Sequence, residues 1–335
     1  MHVHVRSGAL AVCIFSIAAA LLAAPLKEPI QPIPDSLNVS PKKAEIGGQL
    51  FRDPRLSANG AVSCASCHDL GRGGVDGKSH SPGFNGAMTG VNTPTVLNSA
   101  LNFRQFWDGR ADSLEAQIDG VVQNPVEMGS QWPDVVALIS KDAKYSEAFG
   151  KAYKDGVTKA NIIDAIASFE RTLITPNSRF DKYLKGDANA ITEIEKGGYL
   201  KFKQYGCVAC HQGVNVGGNM FQTFGAMGDY FKNRGNNTGA DLGRFNVTKA
   251  ESDKHVFKVP SLRNVALTGP YFHDGTAKTL EDAVDVMFKY QLGRSAPKED
   301  KEQIIQFLKT LTGPVPGQIG SPPNGAIASL KEKLK

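Results

Sequence analysis

The chain lacks the features that define several classes of protein. No run of Lys and Arg is dense enough to indicate nucleic-acid binding, and the formal net charge is only +5. After residue 24, no apolar stretch reaches the length of about 20 residues that a membrane-spanning helix requires. Segments that alternate apolar and polar residues are almost absent, so little β-strand is predicted. We therefore expect a mainly α fold with no stable membrane span beyond the first 24 residues.

The first 24 residues have the pattern of a secretory signal peptide. Arg6 precedes an apolar run over residues 9–24, and Pro25 follows it. A retained membrane anchor is the alternative, although the run is short for a membrane span. Cys13 lies inside this run and would be removed with it. The sequence therefore predicts an exported protein whose mature form begins near Pro25.

The other four cysteines lie in two copies of one five-residue pattern. The copies are Cys64-Ala65-Ser66-Cys67-His68 and Cys207-Val208-Ala209-Cys210-His211. Cys-x-x-Cys-His is the attachment pattern for a c-type haem, in which the histidine becomes the proximal iron ligand. Two redox dithiols or a zinc site are the alternatives, and both leave the two histidines unexplained. Two covalently bound c-type haems are therefore predicted. Because such haems are attached outside the cytoplasm in bacteria, the expected location is the periplasm.

Helical periodicity recurs along the chain and arranges it in two similar halves. Ser40 and Pro41 predict the cap and the first residue of a helix that leads to the first motif. A helix over residues 192–205 leads to the second motif in the same way. Further helices are predicted over residues 114–122, 132–139, 160–173, 177–184, 280–288 and 298–311.

We expect two cytochrome-c-like domains, each with one covalently bound haem. The predicted boundaries are residues 1–24 for the signal peptide, 25–185 for the N-terminal domain, 186–312 for the C-terminal domain and 313–335 for a Pro/Gly-rich tail.

A series of short sequences surrounds the two motifs in a fixed order. They are Asn92-Thr93-Pro94-Thr95-Val96-Leu97-Asn98, Phe106-Trp107-Asp108-Gly109-Arg110, Asn124-Pro125-Val126-Glu127-Met128, Val259-Pro260-Ser261-Leu262-Arg263-Asn264, Thr268-Gly269-Pro270-Tyr271-Phe272-His273-Asp274-Gly275, Met287 and Gln291-Leu292-Gly293. This order, over residues 40–312, resembles the bacterial di-haem cytochrome c peroxidases and their MauG-type relatives. The resemblance implies that the haem on His68 cleaves peroxide and that the haem on His211 accepts electrons.

The resemblance also implies roles for three residues near the first haem. Glu127 resembles the family's catalytic carboxylate, which takes a proton from bound peroxide and returns it to the departing oxygen. Gln117 resembles the companion amide that positions peroxide. Trp107 resembles the indole between the two haems, where it either aids electronic coupling or only fills space. Judged from the residues alone, Glu127 would be an ordinary exposed acid.

Two further residues resemble family positions near the second haem. Met287 resembles its distal ligand, and a thioether opposite His211 would favour ferrous iron and raise the reduction potential. Judged from spacing alone, Met287 would be a core residue of an apolar helix. His273 resembles a residue near the haem interface that contacts a propionate.

The resemblance implies a calcium ion between the domains. Asn92 would supply a side-chain oxygen, and Thr268 and Pro270 would supply backbone carbonyls. Oxygen ligands completed by water suit a structural Ca²⁺.

The chain departs from the family at one position. Many members have a second histidine ligand for the first haem iron sixteen residues after the proximal histidine, and here that residue is Phe84, which cannot ligate iron. His80 lies four residues earlier, in the Gly-rich segment 71–92. Either His80 serves as a displaceable ligand, or the first haem iron needs no loop ligand and is always accessible.

The resulting prediction is a periplasmic cytochrome c peroxidase that uses electrons from a small cytochrome c or a cupredoxin. A MauG-type oxidase of an organic or protein substrate is one alternative, but those relatives have a Tyr where Met287 stands. A non-enzymatic electron carrier is the other, and Glu127 and Gln117 disfavour it. The resemblance makes a homodimer plausible.

Overall fold

The computed structural model describes residues 28–316, so the predicted signal peptide (residues 1–24) and most of the predicted tail (residues 313–335) lie outside the described residues. Helices dominate, which confirms the mainly α prediction. The α-helices are α1 (Pro41–Leu50), α2 (Cys64–Cys67), α3 (Leu114–Gln123), α4 (Trp132–Lys141), α5 (Ala143–Ala152), α6 (Lys159–Arg171), α7 (Arg179–Leu184), α8 (Glu193–Gln204), α9 (Tyr230–Arg234), α10 (Phe245–Thr248), α11 (Leu280–Val286) and α12 (Lys298–Thr310). Within residues 28–316 the only sheet pairs β1 (Phe221–Thr223) with β2 (Val256–Lys258), antiparallel. No described helix combines the length and apolar character needed to cross a membrane.

Each helix predicted from periodicity is present, and capping residues account for several of the ends. Ser40 is the N-cap of α1 and Pro41 its first residue, as predicted. Helix α8 begins after Thr192, whose backbone N–H donates to Glu195 Oε2 while its hydroxyl accepts from the Glu195 N–H. Helix α5 was not predicted, because its buried face has only two large side chains, Tyr145 and Phe149.

The helix before each Cys-x-x-Cys-His motif is crossed at close range by a later helix. A Cβ on Gly47 of α1 would lie 1.8 Å from the carbonyl oxygen of Ala165 on α6. A Cβ on Gly198 of α8 would lie 1.9 Å from the carbonyl oxygen of Gln303 on α12. Only glycine allows such an approach of two backbones. The same helix crossing thus occurs in both halves of the chain, in agreement with the repeat seen in the sequence.

Two main hydrophobic clusters form around these crossings. The first contains residues between Ile46 and Leu173, and Val315 from near the end of the described chain joins it. The second contains residues between Phe180 and Leu311, and Ile30 joins it from the other end. Each terminal segment therefore packs against the half of the molecule that is more distant in sequence.

A buried ion pair connects the start of the described chain to the second cluster. Arg263 and Asp181 are both fully buried, and Arg263 Nη1 lies 2.7 Å from Asp181 Oδ1. Arg263 also donates to the carbonyls of Gln31, at 2.7 Å, and Val214, at 3.0 Å. The guanidinium thereby joins three segments that are remote in sequence.

Replacement of Arg263 by methionine should lower the free energy of unfolding by about 3–5 kcal/mol, because it leaves the Asp181 carboxylate buried without its partner. Thermal or denaturant unfolding of the haem-loaded protein measures this loss. Lys151→Met is a suitable control, since it removes only an exposed ion pair with Glu147, which water and salt screen. Equal stabilities of the two variants would contradict the structural role assigned to Arg263.

Candidate functional site

The first Cys-x-x-Cys-His motif lies on the wall of a cavity. Cys64, Cys67 and His68 all line it, and helix α2 holds the two cysteines one turn apart. The His68 Nδ1 atom lies 3.2 Å from the carbonyl oxygen of Gly74. A ring that donates from Nδ1 keeps Nε2 free for a metal. Burial lowers the pKa of His68, which favours the neutral imidazole that iron ligation needs.

Glu127 and Gln117 line this same cavity. The Oε2 atom of Glu127 is buried and has no hydrogen-bond partner among the described residues. Burial raises the pKa of the Glu127 carboxyl, although the Arg110 charge and a hydrogen bond from Asn124 lower it. The cavity thus contains a carboxylate with an unsatisfied oxygen and a tendency to hold a proton. The resemblance had suggested this residue, whereas residue type alone had suggested an exposed acid.

The second motif lies on the wall of a second cavity. Cys207, Cys210 and His211 line it, together with Met287. His211 Nδ1 lies 3.4 Å from the carbonyl oxygen of Val216, and burial lowers the pKa of His211 to about 4. A neutral imidazole and a thioether therefore share one cavity, which is the donor set of a His/Met haem.

Met287 begins a single π-helical turn, Met287–Gln291, that directly follows α11. The sequence analysis had extended an ordinary helix through residue 288. Gln291 also lines the cavity, and its side chain makes two hydrogen bonds outside the turn. Nε2 donates to the Thr223 carbonyl at 3.1 Å, and Oε1 accepts from the Gly225 N–H at 3.0 Å. Such turns are frequent at functional sites, and here the Gln291 amide fixes the turn that carries Met287.

Trp107 lines both cavities and is held by main-chain contacts on either side. Its indole Nε1 donates to the carbonyl oxygen of Asn92 at 2.9 Å, and its own carbonyl accepts from the Lys258 N–H at 2.8 Å. The indole meets the His273 ring edge-on, with centroids 6.4 Å apart. Trp107 thus lies on a wall that the two cavities share.

His273 lines the second cavity and is buried. Its Nε2 lies 2.7 Å from Asp241 Oδ1, and Arg234 forms ion pairs with both Asp241 and Asp274. His273 and the two aspartates are the only group of three metal-ligating side chains within residues 28–316, and the group contains no cysteine. Because Arg234 pairs with both acids and His273 bonds to Asp241, we assign the group to a hydrogen-bond network. Since this group contains no cysteine, the four described cysteines lack the partners of a zinc site.

The three residues suggested for calcium lie along one cavity. Asn92, Thr268 and Pro270 all line the second cavity, and Asn92 lines the first as well. The Asn92 Nδ2 atom donates to the Lys78 carbonyl at 2.8 Å, which orients the amide so that Oδ1 is left for another partner. Calcium binding by these three residues stays a prediction.

His80 is bonded within the Gly-rich segment 71–92 and lines neither cavity. Its Nδ1 lies 2.8 Å from the Thr89 carbonyl, and His80 is not among the residues that line either cavity. Phe84 donates its N–H to the Glu127 carbonyl at 2.9 Å. The segment therefore packs on the backbone that carries Glu127.

Two buried charged residues of the cavities were missed by the sequence analysis. Glu170, on α6, lines the first cavity, and burial raises its pKa to about 8. Lys258, at the end of β2, lines the second cavity. A signal for Lys258 was present, since it is a single cation in the otherwise apolar run 256–259.

The residues on both walls fit covalently bound haem. The four described cysteines are free thiols, each histidine is anchored through Nδ1, and each cavity has an unsatisfied polar group or a soft donor in addition to its motif. Two such cavities in a mainly helical fold define the class of the protein, which is a di-haem c-type cytochrome.

Comparison with known proteins identifies the family. A sequence profile described as di-haem cytochrome c peroxidase matches residues 41–189. The chain is 50% identical over 287 residues to cytochrome c peroxidase Ccp of Escherichia coli K12, covering 85% of this chain and 61% of that protein. It is 47% identical over 290 residues to cytochrome c551 peroxidase of Nitrosomonas europaea, covering 86% of this chain and 85% of that protein.

A solved structure supports the same family assignment. A MauG-like protein associated with microbial copper homeostasis matches with a TM-score of 0.74 and 30% identity, covering 87% of this chain and 95% of that chain. The chain belongs to the di-haem cytochrome c peroxidase family, and its enzyme class is that of the cytochrome c peroxidases.

Proposed function

We propose that this chain is a periplasmic peroxidase that reduces hydrogen peroxide to water with electrons from a small cytochrome c or a cupredoxin. One peroxide consumes two electrons and two protons and yields two waters. The observation that carries the proposal is the buried, unpartnered Oε2 of Glu127 on the wall of the first haem cavity. An electron carrier has no need of such a group.

Glu127 and Gln117 would manage the proton and the substrate. The haem attached at Cys64 and Cys67 would supply the site where peroxide binds and is reduced. Glu127 would accept a proton from the oxygen of peroxide near the iron and return it to the departing oxygen. Its raised pKa suits a group that both takes and gives a proton. Gln117, on the same wall, would orient peroxide by hydrogen bonding.

The second cavity would accept electrons from the donor. His211 and Met287 share this cavity, which supports a His/Met haem of raised potential. Trp107, which lines both cavities, would then lie along the path between the haems. Calcium bound by Asn92, Thr268 and Pro270 would join the two halves there.

A MauG-type oxidase is the second candidate, because a MauG-like structure matches the chain. The only tyrosine among the described residues that line the second cavity is Tyr271, and its hydroxyl donates to the Val265 carbonyl at 3.0 Å. This contact and the presence of Met287 favour the peroxidase.

His80→Gly should leave the resting spectrum of the first haem unchanged, because His80 Nδ1 is engaged with the Thr89 carbonyl and His80 does not line the first cavity. We therefore favour an accessible iron over a displaceable His80 ligand. Electronic absorption and electron paramagnetic resonance of the fully oxidised protein test this expectation. A change from low-spin to high-spin iron in the variant would instead identify His80 as a ligand in the resting state.

The decisive test is hydrogen-peroxide-dependent oxidation of reduced cytochrome c by the haem-loaded protein with calcium. Fully oxidised and half-reduced enzyme should both be active if the iron is accessible. Activity only after half-reduction would still support a peroxidase, but one gated by a ligand. No activity in either state, with cytochrome c and a cupredoxin each tried and both haems intact, would reject the peroxidase proposal.

A further inference from the structure

Lys258 is a buried cation that faces the second cavity without a partner. It ends β2 and is only 7% exposed. Its side chain has no hydrogen bond or ion pair with any other described residue. Burial lowers its pKa to about 8, so the ammonium form still predominates at neutral pH.

The backbone holds Lys258 at this position. Its N–H donates to the Trp107 carbonyl at 2.8 Å, and its Cα pairs with Phe221 across the β1–β2 ladder. Both neighbours along the strand, Phe257 and Val259, are buried. The side chain therefore cannot move to solvent without disturbing the strand pair that also supports Trp107.

The protein wall of this cavity provides no negative charge. None of the described residues that line it is Asp or Glu. A buried ammonium group is costly unless an anion pairs with it. The partner must therefore come from a molecule that occupies the cavity.

A covalently bound haem carries two carboxylates as its propionate groups. We infer that Lys258 binds a propionate carboxylate of the haem attached at Cys207 and Cys210. This inference depends on the proposed function only in that a haem occupies this cavity. The ion pair would offset the negative charge of the propionate, and it would connect the electron-accepting haem to the strand that donates to Trp107.

The reduction potential of the haem on His211 tests this inference. In full-length, haem-loaded protein, Lys258→Met should favour the ferric form by about tenfold at a fixed ambient potential, a shift of about 59 mV for one electron. Lys258→Arg should restore most of the difference, because it keeps the charge. Lys289→Met is the matched control, since it removes a charge from an exposed residue of the adjacent π turn, where water and salt screen it.

A shift in Lys258→Met no larger than that in Lys289→Met would overturn the inference. If Lys258→Met does not load haem, the reduction potential is measured in Lys258→Gln instead. Resonance Raman spectra then compare the propionate bending modes of the wild type with those of Lys258→Arg. A wild-type potential that responds to chloride or phosphate at constant ionic strength would assign Lys258 to a free anion and would also overturn it. Absence of peroxidase activity with the shift present would reject only the proposed function.

Discussion

Glu127→Gln should lower peroxide turnover by about 10²- to 10⁴-fold while both haems stay attached. The amide has nearly the shape of the carboxyl group, so it should fit the first cavity, but it cannot accept and return a proton. The expected loss follows from the position of Glu127, whose Oε2 is buried without a partner on the wall that also bears His68. Initial rates of cytochrome c oxidation at saturating peroxide measure the effect, and the absorption of the reduced haems reports their attachment.

Two comparisons make this result specific. Glu147→Gln changes an exposed acid on α5 and should leave the rate unaltered. Because burial raises the pKa of Glu127, the wild-type rate should increase with pH through a value above that of an ordinary glutamate, as the proton-accepting form appears. This part of the pH profile should be absent from Glu127→Gln. Unchanged turnover would exclude Glu127 as the catalytic carboxylate.

Met287→Leu should abolish the charge-transfer absorption of a methionine–ferric haem and lower the reduction potential of the haem on His211. Leucine fills a similar volume but has no sulfur to bind iron. Because a thioether ligand favours ferrous iron, its loss should slow electron transfer from the donor by at least about tenfold. Spectroelectrochemical titration and donor oxidation kinetics measure the two effects.

A substitution in the π turn tests the same ligand with a smaller expected effect. Gln291→Leu keeps the methionine but removes the hydrogen bonds to Thr223 and Gly225, so the charge-transfer band should weaken without disappearing. Met227→Leu alters a methionine that is 67% exposed nearby, and it should leave the band intact. A wild-type protein without the band would show that Met287 is not the ligand.

The sequence predicted most of the helices because their signals are local. Ser40 and Pro41 mark the start of α1, and the apolar spacing of residues 160–173 indicates α6. The π turn was missed because residues 280–288 continue the period of an ordinary helix. Its unusual hydrogen bonds depend on Gln291 reaching Thr223, a contact between segments remote in sequence.

The sequence likewise predicted some residues of the candidate site and missed others. The two haem motifs are evident because covalent attachment requires adjacent residues. Glu127 and Met287 were suggested only by the family resemblance. The burial of its Oε2 distinguishes Glu127 from an exposed acid, and a place on the cavity wall with His211 distinguishes Met287 from a core methionine. Glu170 was missed because only the cavity wall around it distinguishes it from other helical acids, and Lys258 was missed although its place in an apolar run was a signal. The domain boundary near residue 185 stays a prediction.

Each half of the chain contains one Cys-x-x-Cys-His motif and one close helix crossing, yet the cavity walls are shared. Ala240, Gly243 and Asn246 close part of the cavity around His68, and Trp107 closes part of the one around His211. A gene fragment that encodes one half would therefore produce an incomplete haem crevice. Recombination between relatives would have to keep both contributions to each wall together in order to preserve either cavity.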